Sequence, residues 1–315
     1  MPDESGPIVV IGSHVQSLFV RVDTVPREGE TVLGFDYDEP ADGGKASNQA
    51  VAAAKLGAPV RLVTIVGRDE FGSRALQLFR AYGIETRWVA EQDGRTDIGF
   101  VMLPPSRIPA IVTAVGCSAA LTADFVERAS SAVDGASWVL CQFEAPTECA
   151  LASFRLARAR GARTILNPAP PVALDPELAV LTDVLVPNEH EAAALLGGRD
   201  DPDNLALALH GRTGIPVVIV TAGEDGAWIA SAEGVSHVPA LAVRSEDTTG
   251  AGDAFIGALA FAFRDGRDIP DAVAFACMAA GVSVSRPGTM PAFPTIEELR
   301  EAEAAREQRP LTPSS

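Results

Sequence analysis

One stretch of the chain sets a carboxylate beside bare backbone. In "DTTGAGDAFIG" (residues 247–257), Asp253 follows the small residues Gly250, Ala251 and Gly252, and an apolar helical run begins beside it. The first N–H groups of a helix have no intrahelical partner, and the helix dipole is positive there. Small side chains let an anion approach those donors closely. Gly250, Ala251 and Gly252 therefore read as an oxyanion cradle, with Asp253 as a general base. The carboxylate would take a proton from a hydroxyl while the cradle holds the charge of a transferring phosphoryl group. Taken alone, Asp253 is equally explained as a helix-start acid that stabilises by roughly 0.3–1 kcal/mol. Two other phosphate motifs are excluded by spelling. Gly44-Lys45 is followed by Ala46, which is no Walker A ending, and Gly250 and Gly252 lack the third glycine of a dinucleotide fingerprint.

A scaffold must aim these groups, and the hydrophobic pattern predicts one. Ile8–Ile11 reads as a buried first strand, followed by strands at 19–25 and 31–37 around the turn Pro26-Arg27-Glu28-Gly29. Residues 48–56 read as an Ala-rich helix ended by Gly57, 60–66 as a strand, and 70–82 as an amphipathic helix capped by Gly83. Residues 98–103 and 111–115 flank Pro104-Pro105-Ser106-Arg107 and read as a hairpin. Helices and strands then alternate: helix 122–131, strand 138–141, helix 146–160, strands 164–167 and 184–186, helix 189–196, strand 217–221, and apolar helices 251–264 and 271–285. Such alternation predicts an α/β fold, a mostly parallel central sheet with helices on both faces. Ligands of such sheets sit beyond the carboxyl ends of the strands. The extra strands, within about 15–40 and 98–115, read as a small β lid. One domain is expected through residue 308, with 309–315 as a disordered tail.

Bulk properties narrow the partners. The chain has 315 residues and a formal net charge of −17, which argues against nucleic acid and anionic membranes as partners. A small anionic substrate stays open if local dipoles and a few cations reverse the field in one cleft. Cys117, Cys141, Cys149 and Cys277 form no CxxC pair and read as reduced core thiols. The opening "MPDESGPIVVIG" lacks the regions of a signal peptide, and no apolar run reaches membrane-spanning length, so a cytoplasmic protein is expected.

A second motif breaks the tie over Asp253. "ADGGKASNQAVAAAKLGAPVRLVTIVG" (residues 41–67) sets Gly43-Gly44 before a helix, with Asn48 in its first turn and Gly57 and Gly67 beyond. With "DTTGAGDAFIGALA", it resembles the two signatures of the PfkB/ribokinase family of small-molecule kinases. "LNPAP", "PNEHEA" and "TAGEDG" follow in the family's order, and the resemblance runs from about residue 8 to 299. It implies a ribokinase-like fold and an ATP-dependent kinase that phosphorylates a hydroxymethyl group of a sugar or sugar-like molecule. Asp253 matches the base, and Gly250, Ala251 and Gly252 the anion hole.

Further roles follow by position. Asn188 and Glu191 match a motif that organises Mg²⁺ and phosphate through water; by themselves they also read as a helix cap with its N3 acid. Thr221, Gly223 and Gly226 match the nucleotide loop, and Cys277 lies on the nucleotide side. Asp247 and the carbonyl of Thr249 match a K⁺ site completed near Ser283, Arg286 and Gly288, where Ala292 replaces a ribokinase serine. Gly43, Gly44, Lys45, Asn48 and Glu144 match sugar contacts. The first loop departs: "GSHVQS" puts Val15 and Ser17 where ribokinases carry an Asn and an Asp. A lost charge-assisted contact weakens selection for a vicinal diol. The pocket then suits a less hydroxylated sugar, a sugar acid, or a nucleoside. The competing readings are a nucleoside kinase on the same fold and a catalytically silent sugar-binding regulator. A homodimer through the lid is expected, because its strand edges invite pairing.

Overall fold

The computed structural model describes residues 5–40, 42–106 and 110–307; the expected tail at 309–315 lies outside them. Along the chain run β1 (Ile8–Ile11), β2 (Val15–Val22), β3 (Gly34–Asp38), α1 (Lys45–Lys55), β4 (Val60–Gly67), α2 (Glu70–Ala81), β5 (Val89–Gln92), β6 (Asp97–Leu103) and β7 (Ala110–Ala114). Then come α3 (Ala123–Arg128), β8 (Trp138–Gln142), α4 (Thr147–Ala159), β9 (Arg163–Asn167), α5 (Pro176–Val180), β10 (Val184–Leu185), α6 (Glu189–Leu196) and α7 (Pro202–Thr213). The last are β11 (Val217–Thr221), β12 (Ala227–Ser231), β13 (Gly234–Val238), α8 (Ala251–Arg264), α9 (Ile269–Val284) and α10 (Ile296–Glu307).

The large sheet has the order β13-β12-β11-β10-β9-β8-β1-β4-β5. It is parallel from β11 to β5, and only the hairpin β12-β13 runs antiparallel. Its central strands are apolar on both faces because helices cover both. In β1, Ile8 and Val10 join the core under α1, α8 and α9, while Val9 and Ile11 join the core under α3, α4 and α7. This is the period-two alternation of a strand read out on two buried faces. The small sheet has the order β3-β2-β6-β7, with β2 and β6 parallel.

Most expected elements form, with corrections at the small sheet. β2 starts at Val15 rather than 19 and stops at Val22. Gln16 and Ser17 look like loop residues but are buried within the strand. β3 begins at Gly34 rather than 31. α1 starts at Lys45, one turn earlier than 48, and residues 130–133 form a separate 3₁₀ turn after α3. The sequence reading omitted β5, α5, α7, the β12-β13 hairpin and α10.

The helices α1 and α8 meet at Gly257. A Cβ there would lie 2.5 Å from Ala52 Cβ and 2.8 Å from the Gln49 carbonyl oxygen, so only glycine permits this approach. Gly257 is four residues after Asp253, on the same helix face. The close crossing thus delivers the start of α1 to the carboxylate.

Candidate active site

Asp253 stands in the first turn of α8 and is 8 % exposed. Asn48 Nδ2 donates to its Oδ2 at 2.9 Å, and Gln49 Nε2 donates to its Oδ1 at 3.0 Å. Gln49 Nε2 also reaches Asn167 Oδ1 at 3.3 Å, and Gln49 Oε1 accepts from Gln142 Nε2 at 2.6 Å. Asn167 Nδ2 in turn donates to the Val186 carbonyl at 2.9 Å. A chain of buried amides therefore fixes the rotamer of the carboxylate from behind.

Before Asp253, Gly250 caps α8 with φ 75°, a left-handed turn that glycine adopts without strain. Ala251 is the first helical residue. A Cβ on Gly252 would meet no atom within 4 Å, so this part of the cradle faces open space. Gly250, Ala251, Gly252 and Asp253 line one cleft of about 180 Å³ with Lys45, Asn188, Glu191, Thr221 and Thr248.

Lys45 is the one cation that lines the cleft among the described residues, against Asp253 and Glu191. Burial raises the Asp253 carboxyl above the usual range, and Lys45, Asn48 and Gln49 pull it partly back. Burial acts to lower the Lys45 ammonium, but Asp253, Glu144 and Glu191 outweigh it and the net shift is upward. Lys45 is therefore a cation at neutral pH. Burial also raises Glu191, against the Asn188 N–H and Lys45. Asn188 and Glu191 form a reciprocal capping box on α6, with bonds of 2.8 and 2.9 Å. The helix-cap reading of this pair is thus correct as geometry, and the same two residues also border the cleft.

A larger chamber of about 580 Å³ shares Lys45, Asn188 and Glu191 with the cleft. Ser13, Val15, Phe143, Glu144, Pro170 and His190 line it, with Asp97 and Thr113 from the small sheet. Glu144 is a fixed wall residue: its Oε2 accepts from Ser13 Oγ at 2.6 Å and from Lys45 N at 2.7 Å. Among the described residues no donor meets Glu144 Oε1.

The expected acceptor residues divide here. Val15, Lys45 and Glu144 line the chamber, and Asn48 acts through Asp253. Ser17 lies under the di-glycine turn instead: a Cβ on Gly43 would stand 2.4 Å from Ser17 Oγ. Gly43 and Gly44 have φ 138° and 82° and press on the backbone of residues 13–15. Their role is to let the loop after β1 pass against α1.

On the other side, Thr221 lines the cleft, but Gly223 and Gly226 do not. Gly226 serves the close packing of Val238 on its backbone. Cys277 borders a separate apolar slot of about 210 Å³ with Pro239, Leu241, Ala274 and Met278. Asp247 ties two loops together, its Oδ1 accepting from Thr249 N at 2.9 Å and its Oδ2 from Gly288 N at 3.0 Å. Arg286 turns its side chain to Glu298, at 2.7 and 3.2 Å. Ser283 Oγ is buried and has no hydrogen-bond partner among the described residues.

Sequence reasoning did not select Gln49, Asn167, Ser13, Asp97, Thr113 or His190. Asn167 ends β9, and His190 stands in the first turn of α6 beyond the carboxyl end of β10, where the sheet rule would have found them. Gln49 carried a signal too, a second amide inside an Ala-rich helix.

Residues 7–296 match the model of the pfkB family of carbohydrate kinases, and the chain belongs to that family. It is 34% identical over 307 residues to the ribokinase of Mus musculus, covering 94% of this chain and 94% of that one. It is also 34% identical over 300 residues to the deoxyribokinase of Salmonella typhi, covering 93% and 97%. Among solved structures, Arabidopsis thaliana ribokinase complexed with ribose and ATP superposes with a TM-score of 0.85 at 26% identity, covering 94% and 98%. The fold is ribokinase-like, and by family the chain is an ATP-dependent carbohydrate kinase.

Proposed function

We propose that the chain transfers the γ-phosphoryl group of ATP to the hydroxymethyl group of a pentose-sized sugar. The observation that carries this is the junction of two cavities: the cleft with Asp253 and its cradle shares Lys45, Asn188 and Glu191 with the chamber lined by Ser13 and Glu144. Asp253 accepts the hydroxymethyl proton as the oxygen attacks phosphorus. Lys45 and the N–H groups at the start of α8 hold the charge on the transferring group. Glu144, braced by Ser13 and Lys45 N, orients the sugar. The apolar slot beside Cys277 takes the base of the nucleotide. Thr221 faces its phosphates, with Gly223 and Gly226 shaping the same loop.

Mg²⁺ supplies charge neutralisation across the phosphates when bound. Among the described residues no group of three His, Cys, Asp or Glu could cage a metal. Glu191 and Asn188 fit an ion that arrives with the nucleotide and is held through water. For K⁺, the chemistry of the donor set fits a weakly hydrated monovalent ion: the Asp247 carboxylate, main-chain oxygens at Thr249, Arg286 and Gly288, and the orphan Ser283 hydroxyl. Ala292 contributes no side-chain donor. The ion would order the cradle from behind. The small sheet acts as a lid and as the contact of a homodimer, for which Phe35, Tyr37, Phe100 and Val112 are exposed apolar residues.

A coupled ADP-release assay over pentoses, hexoses, sugar acids and nucleosides tests the reading. Turnover of a pentose, dependent on Mg²⁺ and higher in K⁺ than in Tris buffer, is expected. Turnover confined to nucleosides would move the assignment to a nucleoside kinase.

A further inference from the structure

Val15 and Asp97 are register partners in the parallel pair β2–β6. Register partners point to the same face of a sheet, and both residues border the acceptor chamber. Asp97 is 3 % exposed, so its carboxylate is a wall group, not a solvated one. An ionised carboxylate has about four lone-pair sites. Oδ1 accepts from Gly116 N at 3.0 Å and Ser118 N at 3.1 Å, and Oδ2 accepts from Ser118 Oγ. Among the described residues no donor fills the fourth site, on Oδ2. A carboxylate locked by three donors, with one acceptor site left at a cavity wall, is preorganised to receive a hydroxyl.

We propose that Asp97 is a specificity-determining residue: its Oδ2 accepts a hydrogen bond from one acceptor hydroxyl while Val15, on the adjacent strand, meets a C–H edge. The proposal rests on the reading of the chamber as a sugar site. Position 17 of β2, where ribokinases carry an acid, holds Ser17 here, and the carboxylate comes instead from the adjacent strand β6. The acceptor class is a pentose-sized sugar with a hydroxyl at one of two neighbouring ring positions and none directed at the other. A monodeoxy pentose or an epimer of ribose meets this demand. A cis diol directed at both places leaves one hydroxyl against Val15 without a partner.

The test measures kcat and KM for ribose, 2-deoxyribose, 3-deoxyribose and 2,3-dideoxyribose. The wild type is expected to favour one monodeoxy sugar over the dideoxy sugar by about tenfold or more, the usual effect of a charged hydrogen bond. Asp97→Ala should bring that ratio close to one, mainly through KM, and Asp97→Asn should reduce it if the alanine variant does not fold. Ser118→Ala weakens the brace but keeps the carboxylate, and it should preserve the preference. Equal losses on every sugar in the Asp97 variants, with the ratio unchanged, would overturn the proposal alone. Wild-type turnover of none of the sugars in any buffer would overturn it together with the sugar-kinase reading.

Discussion

Gln49 Nε2 lies 3.0 Å from Asp253 Oδ1, while the neighbouring Asn48 donates to Oδ2 at 2.9 Å. Both carboxylate oxygens are thus held by consecutive residues of one helix, across the close crossing at Gly257. The arrangement leaves the carboxylate little freedom of rotation, and its remaining lone pairs face the cleft.

Replacing the base tests its role. Asp253→Asn keeps the shape and the crossing, so the variant should fold and bind ATP with little change in Kd. Its kcat should fall by about 10²–10⁴-fold, the range of a lost general base. Near-normal turnover in the purified variant, with nucleotide binding measured by calorimetry, would remove Asp253 from the mechanism.

The pH profile carries a separate consequence. Asp253 must be ionised to accept a proton, and burial sets its pKa above the usual carboxylate range. The acidic limb of kcat/KM should therefore lie above about pH 4, where an ordinary Asp titrates. Lys45, Asn48 and Gln49 all favour the ionised form. Lys45→Met and Gln49→Leu should each move the limb to higher pH, whatever they do to the plateau rate. A limb that stays in place in both variants would show that another group controls it.

The sequence held the parallel core and the cradle, because both are local patterns: apolar strands, capped helices, and small residues at a helix start. It held less of the small sheet. Gln16 and Ser17 read as loop residues, yet β2 runs through them, because pairing with β6 decides their state. Short strands such as β12 and β13 exist through pairing, β12 with β11 and β13 with β12. The amide chain of Gln49, Gln142 and Asn167 joins residues 93 and 118 positions apart, a relation no local pattern records. For the same reason the close packing of Gly43 on Ser17 Oγ, which leaves no room for a Cβ, is not written in the local pattern.

The cradle can be blocked without unfolding the protein. A Cβ on Gly252 meets no protein atom within 4 Å, and alanine is favoured over glycine in a helix by about 0.5–1 kcal/mol. Gly252→Ala should thus keep or slightly raise Tm while its methyl group stands in the path of the phosphoryl oxygens. We expect kcat/KM to drop at least about tenfold, with sugar binding alone unchanged. Gly250→Ala is the contrast: φ 75° and a Thr289 contact of 2.5 Å predict lost stability as well as lost activity. Unimpaired turnover in a well-folded Gly252→Ala protein would place the phosphoryl group elsewhere.

The turn leading into α1 contains a buried acid that the chemistry does not use. Asp42 Oδ2 accepts from Met290 N at 3.2 Å, while Oδ1 has no partner among the described residues. Burial raises its pKa from 3.8 to about 6, against the Met290 N–H, with Asp38 adding to the rise. A carboxyl whose folded pKa exceeds its unfolded value binds more protons when folded, so its ionisation works against folding. That cost is absent below about pH 4, grows between about pH 4 and 6, and is complete above. Two units correspond to about 3 kcal/mol. Asp42→Asn does not titrate, so its stability relative to wild type should improve by up to about 3 kcal/mol between pH 4 and pH 7. Any fixed effect of the new amide appears at both pH values and cancels. Urea unfolding of both proteins at the two pH values gives the comparison, and a difference independent of pH would mean that Asp42 titrates like a solvated carboxylate.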